Sequence, residues 1–150
     1  MEIDEKRLED LIRKVISEQL GKLQGDGVKT IDRKSGVITV KAPSVQTERF
    51  DTGKKGDQVF LKDAVTLEES PRLMFGIMEM KEGSAFDWTL KYDEVDYIID
   101  GTLEIIVDGV KSSAGKGEIL FIPKNTSVTF STPDETRFMY VTYPANWSEQ

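Results

Sequence analysis

From Val37 onward, apolar residues recur at every second position in short runs, and no helical spacing separates those runs. This pattern constrains the fold more than any other feature, because successive strand side chains point to opposite faces of a sheet. The runs are GVITVKAP, DQVFLKD, RLMFGIMEM, EVDYIIDG, TLEIIVDG, GEILFIPKNTSVTFST and RFMYVTYPANW. Asp-Gly pairs at 100–101 and 108–109 close two of them, and such pairs are strong turn signals. Short strands joined by turns predict an all-β antiparallel barrel or sandwich over 37–150. With 38% hydrophobic residues in 150, the chain can fill one core of that kind but not two.

The first residues follow a different rule. Ile3, Leu8, Leu11, Ile12, Val15, Ile16 and Leu20 fall at three- and four-residue steps and predict an amphipathic helix over 1–20. Acids lead at Glu2, Asp4 and Glu5, with Arg13 and Lys14 later, as the helix dipole favours. Gly21 is the expected stop, and the glycine-rich GKLQGDGVKTIDRKSG over 21–36 reads as a linker. The stripe suits packing on the barrel or on a second copy, and equally suits docking on a partner.

Charge and missing residue types exclude several functions. A net charge of -7 disfavours nucleic acid and anionic membrane surfaces, which both select basic faces. The absence of cysteine removes disulfides, thiolate nucleophiles and zinc-thiolate sites. The absence of histidine removes the commonest metal ligand and general base. The acidic N-terminus lacks the apolar core of a secretory signal, and no apolar run reaches a membrane span. A cytoplasmic location fits these features.

Two spaced motifs carry a resemblance. Gly83, then Glu94, then Gly101 after six residues follow the first motif of the cupin superfamily. Gly117, five residues and Pro123 follow the second, with Asn125 in place of a glycine and Val128 in place of a histidine. The two histidines of the first motif fall on Trp88 and Leu90, or on Thr89 and Lys91. The resemblance therefore implies a cupin-type antiparallel β-barrel, a jelly roll, that lacks three of the usual four metal ligands. No transition metal is expected in it. Longer strings, ESPRLMFGIMEM, FDWTLKYDEVDYIIDGTLEIIVDG and ILFIPKNTSVTFSTPDETRFMYVTYPANW, are similar to the EutQ family of ethanolamine-utilisation proteins. That resemblance implies a histidine-free cupin, a homodimer, and association with a bacterial microcompartment. It also implies an acetate kinase-type reaction using ATP or ADP, Mg2+ and acetate or acetyl phosphate. The helix, residues 3–20, resembles segments that direct cargo to microcompartment shell proteins. A non-catalytic assembly or targeting scaffold is the alternative.

Strand alternation then proposes a site. If Glu94 points into the barrel, Asp96 shares its face, and the two carboxylates can couple, move protons or hold Mg2+ through oxygen. The other reading pairs Glu94 with Lys91 or Arg137. Lys91 is the candidate to steady a phosphate and Tyr92 to position the acyl group. Trp88, Arg72, Arg137 and Tyr140 are candidate substrate contacts, and Glu79 and Glu104 could add carboxylates.

Overall fold

The computed structural model describes residues 4–23, as backbone alone over 17–23, and 27–149. Glu2, Ile3 and the Leu20 side chain of the predicted helical stripe, and residues 24–26 of the predicted linker, lie outside the described residues. The chain divides into two compact units, Met1–Ser44 and Val45–Gln150.

In the first unit, helix α1 spans Glu5–Leu23 and so runs past Gly21. One glycine costs a helix only about 1 kcal/mol, too little to stop it alone. Asp4 caps the start, its Oδ1 accepting from the Lys6 amide at 3.2 Å. Leu8, Leu11, Ile12, Val15 and Ile16 are all exposed. The stretch read as a linker is more ordered than expected. Strand β1 (Lys29–Ile31) pairs antiparallel with β2 (Ile38–Val40). The Asp32 side chain closes the turn between them by accepting from the Lys34 amide at 2.8 Å and the Ser35 amide at 3.0 Å.

The second unit is the predicted antiparallel barrel. Its strands are β3 (Glu48–Arg49), β4 (Val59–Asp63), β5 (Met74–Met80), β6 (Ala85–Leu90), β7 (Asp93–Val107), β8 (Val110–Gly115), β9 (Ile119–Ile122), β10 (Thr126–Ser131) and β11 (Thr136–Tyr143). They hydrogen-bond in the order β3-β4-β5-β11-β7-β10-β6, and β8 and β9 also pair with β7. The long β7 is shared by two layers. Its first part lies between β11 and β9, and its second part between β10 and β8.

That continuity corrects one expectation. Asp100–Gly101 is a bulge inside β7 rather than a turn. Pairing with β11 shifts register between Arg137 and Phe138, leaving Ile99 without an opposite residue. Gly101 has φ +73°, and a Cβ there would collide with the Glu135 backbone carbonyl. The bend thus uses the glycine's freedom and close approach to carry the strand from one layer to the other. The second pair, Asp108–Gly109, is the expected turn. Both residues have positive φ, 50° and 78°, as a two-residue hairpin loop requires.

The core lies between the layers. Phe138, Met80, Leu90, Ile98 and Leu103 are fully buried. Each contributes about 1.5–3 kcal/mol of transfer free energy. Toward one end of the barrel, the hydrocarbon gives way to aromatic and acidic side chains.

Candidate functional site

Three consecutive inward positions of β7 and the turn before it are Tyr92, Glu94 and Asp96, and all are buried. The outward Val95 and Tyr97 are exposed. The alternation that fills the core with Ile98 therefore also delivers two carboxyls to the interior. Across the ladder, Thr142 lies opposite Glu94 and Tyr140 opposite Asp96. Directly opposed side chains stand about 4.5–5.5 Å apart at Cβ.

Tyr92, Glu94, Tyr140 and Thr142 border a small hollow of about 20 Å³, open to solvent on one side and lined mostly by aromatic rings. Trp88 and Tyr92 are joined there, the indole Nε1 donating to the Tyr92 hydroxyl at 2.9 Å. Phe50 meets Trp88 with ring centres 5.7 Å apart. Trp147, on the short C-terminal turn Trp147–Glu149, meets Phe50, Trp88, Tyr92 and Tyr140 at centroid distances of 6.2, 6.1, 6.4 and 6.5 Å. Asp63, at the end of β4, fixes two of these rings. Its Oδ1 accepts from the Tyr140 hydroxyl at 2.6 Å and from Trp147 Nε1 at 3.2 Å.

The electrostatics of the hollow are one-sided. Glu94 is 5% exposed and Asp96 0%, yet neither forms an ion pair among the described residues. Both Asp96 oxygens and the Thr142 hydroxyl lack a well-formed hydrogen-bond partner. Burial pushes the Glu94 carboxyl up to about 7, against a lowering from its looser hydrogen bond with Asp96. Asp96 is raised well above the usual carboxylate range, first by burial and then by the Glu94 charge. Burial likewise pushes up the Tyr92 and Tyr140 hydroxyls, so both stay protonated. The pair holds a proton readily and carries at most a poorly compensated negative charge.

The predicted site residues do not all meet. Trp88, Tyr92, Glu94 and Tyr140 line the hollow, and Asp96 lies buried beside Glu94. Lys91 is exposed between β6 and β7, and Arg72 is exposed ahead of β5; neither lines the hollow. Side chains of successive strand residues diverge, so a lysine next to the inward Tyr92 points away. Arg137 is drawn off by Glu79, with which it forms an ion pair, and by the Val45 carbonyl at 3.1 Å. It lines a different cleft with Lys81, Asp100 and Glu135. Glu94 is therefore paired with neither Lys91 nor Arg137. Glu104 lies in the second half of β7, bridged to Lys111 at 3.2 Å.

Sequence reasoning missed Thr142, Phe50 and Asp63. Thr142 had a readable signal, since it is the polar member of the inward set Phe138, Tyr140, Thr142. Phe50 and Asp63 had none, because only the barrel closure brings them to this end.

Magnesium fits the type of donor present. Glu94, Asp96 and the Thr142 hydroxyl offer oxygen only, and two of these groups have unsatisfied atoms. Among the described residues, however, no group of three or more His, Cys, Asp or Glu side chains is placed to hold a metal. A cation would accordingly keep much of its coordination as water. Among the described residues, no helix is long and apolar enough to cross a membrane.

The barrel recurs in known proteins. The chain is 52% identical to acetate kinase EutQ of Clostridioides difficile, over 99% of this chain and 96% of that one. It is 36% identical to acetate kinase EutQ of Salmonella typhimurium, over 93% of this chain but only 60% of the longer relative. The solved Clostridium difficile EutQ structure superposes with a TM-score of 0.78 at 56% identity, covering 82% of this chain and 90% of that one. The cupin domain of Schizosaccharomyces pombe Cnp3, with a TM-score of 0.59 at 14% identity, shares the fold, covering 81% of this chain and 88% of that one. The family model for ethanolamine utilisation protein EutQ matches residues 3–149, and the chain belongs to that family.

Proposed function

We propose that this protein transfers a phosphoryl group between acetyl phosphate and ADP with Mg2+, as an acetate kinase-type enzyme of a microcompartment that processes ethanolamine. The observation that carries the reading is the buried, cation-free Glu94–Asp96 pair facing a small hollow, in a chain whose relatives are named acetate kinase EutQ. When bound, Mg2+ supplies the positive charge that a transferring phosphoryl group needs. Glu94 would hold it, with Asp96 and the Thr142 hydroxyl contributing oxygen. Among the described residues no basic side chain lines the hollow, so this reading gives Lys91, Arg72 and Arg137 no part in the step. Trp88 fixes the Tyr92 hydroxyl, and Tyr92 with the surrounding rings positions the acyl methyl and excludes water. The test is ATP formation from acetyl phosphate, ADP and Mg2+ by the purified protein. No ATP above a chelated control overturns the reading.

A second reading, a scaffold or targeting role, is favoured by the helix. Leu8, Leu11, Ile12, Val15 and Ile16 form an exposed apolar stripe, suited to a groove on a shell or cargo protein. Deleting residues 1–20 is expected to abolish recruitment to the shell while the barrel stays folded. A homodimer belongs to either reading. Val95 faces Phe121 and Tyr97 faces Ile119 on the outer side of β7 and β9, and all four are exposed. A twofold-related copy presents the same flat apolar patch, which is complementary to itself.

A further inference from the structure

We propose that the hollow binds a small organic ammonium ion, its N–H groups donating to Glu94 and Thr142 and its carbon-bound face resting against Phe50, Trp88, Tyr92 and Trp147. This goes beyond phosphoryl transfer and does not depend on it.

Three observations converge on this chemistry. The first is the wall. The rings of Phe50, Trp88, Tyr92 and Tyr140 stand around Trp147 at interplanar angles of 60°, 61°, 62° and 72°. At centroid distances of 6.1–6.5 Å these rings meet Trp147 edge to face and make one contiguous aromatic wall on the hollow rather than a stack. An aromatic wall attracts a cation through the negative faces of its π-systems, most strongly once the cation has left water. The second is the floor. Glu94 is buried, lines the hollow and has no ion-pair partner among the described residues. A buried carboxylate without a counter-charge is costly, and an entering cation removes that cost. The third is a spare acceptor. Thr142 is 1% exposed, lines the same space opposite Glu94, and its hydroxyl has no partner. An ammonium has several donors, and this pair offers acceptors on adjacent strands.

Other ligand classes fit less well. An anion that enters without a cation of its own would meet Glu94 with no basic side chain in the lining among the described residues. A bare hard cation needs about six oxygens, and most of this wall is hydrocarbon. A neutral ligand leaves Glu94 uncompensated. The narrow space limits the ligand to a few heavy atoms. Ethanolamine, whose utilisation names the family, is such a cation and carries a hydroxyl as well.

Both tryptophans of the chain, Trp88 and Trp147, line the hollow, so intrinsic fluorescence reports its occupancy. Full-length protein at pH 8 is titrated with methylammonium, ethanolamine and tetramethylammonium chlorides. Ethylene glycol, sodium acetate and sodium chloride serve as neutral, anionic and salt controls. The expected result is a saturable change with the two primary amines, at half-saturation of roughly 1–10 mM for so small a ligand. Glu94→Gln, with unchanged circular dichroism, is expected to weaken it at least tenfold. Phe50→Leu is expected to weaken it roughly threefold to tenfold, the size of one cation–π contact. An equal response to ethylene glycol, or no saturable response to any amine in the wild-type protein, overturns the proposal. The ATP-forming assay without amine fails or succeeds independently, so the two readings are separable.

Discussion

Two acidic places on the strands that flank β11 solve the same problem in opposite ways. Glu79 on β5 is only partly buried and meets Arg137 and, at 3.6 Å, Lys81. Glu94 and Asp96 on β7 are almost wholly buried and meet no cation among the described residues. The Glu79 group needs nothing more from a ligand. The Glu94 group keeps an uncancelled desolvation cost that a fold gains nothing by carrying, and such groups mark sites that a ligand completes. Glu94 stands at the glutamate position of the first motif, whose histidine positions fall on Trp88 and Leu90 or on Thr89 and Lys91, and Val128 stands at the histidine position of the second. In register, Val128 lies opposite Trp88.

The sharpest way to break this contrast is activity. Glu94→Gln is expected to lower ATP formation from acetyl phosphate by about 10²–10³-fold, the usual loss when one electrostatic contact to a developing charge is removed. Glu79→Gln is expected to stay within about twofold in the same assay. Equal losses in both variants would erase the distinction.

The next effect concerns the bend in β7 beyond Glu94 and Asp96. Gly101→Val puts a β-branched residue at φ +73° against the Glu135 backbone. A loss of roughly 3 kcal/mol or more in urea unfolding is expected. Wild-type stability in this variant would show that the bulge is not what sets the two layers.

Removing the buried acid should help the fold. Asp96→Leu deletes two oxygens that lack partners. It is expected to raise stability at pH 8 by about 1–3 kcal/mol, as replacements of buried charge by hydrocarbon often do. A clear loss would mean that the loose Glu94–Asp96 hydrogen bond is a firm one in solution.

The pH dependence sharpens the same point. Glu94 holds its proton in the fold up to about 7, against 4.5 as the ordinary value. The folded state therefore binds more protons than the unfolded state between those two values. Its contribution is fully present below about 4.5 and is lost as pH rises toward 7. The slope is at most ~1.4 kcal/mol per pH unit for one group. Thermal melts of the wild type against Glu94→Gln should diverge in this window and run parallel above it.

The smallest effect belongs to the paired acid. Glu79→Gln is expected to cost about 1 kcal/mol or less, since the pair is one-fifth exposed and partly screened.

Much of the barrel was readable because alternation is local. Each inward residue from Tyr92 to Ile98 follows from the parity of its neighbours, and one buried face excludes the opposite parity. Left-handed positions were readable as well: Asn125, standing where the motif has glycine, has φ 66°, a conformation asparagine tolerates better than most residues. The Asp-Gly pair at 100–101 misled, because the same dipeptide suits a hairpin turn and a bulge. Only pairing with β11 on one side of β7 decides between them. Arg72 and Lys91 misled for a related reason, since proximity in sequence or a useful charge says nothing about which way a side chain leaves the backbone.

Sequence alone determined that Glu94 and Asp96 share an inward face and that no histidine or cysteine accompanies them. Tertiary structure alone decided that no basic side chain among the described residues pairs with them and that Thr142 stands opposite Glu94. It also decided that Phe50, Tyr140 and Trp147 join the aromatic wall of the hollow that Glu94 lines. The physical reason is range. Which face a side chain takes is set by its own strand, whereas its company is set by the register of strands far away in the chain, which only the closed barrel fixes.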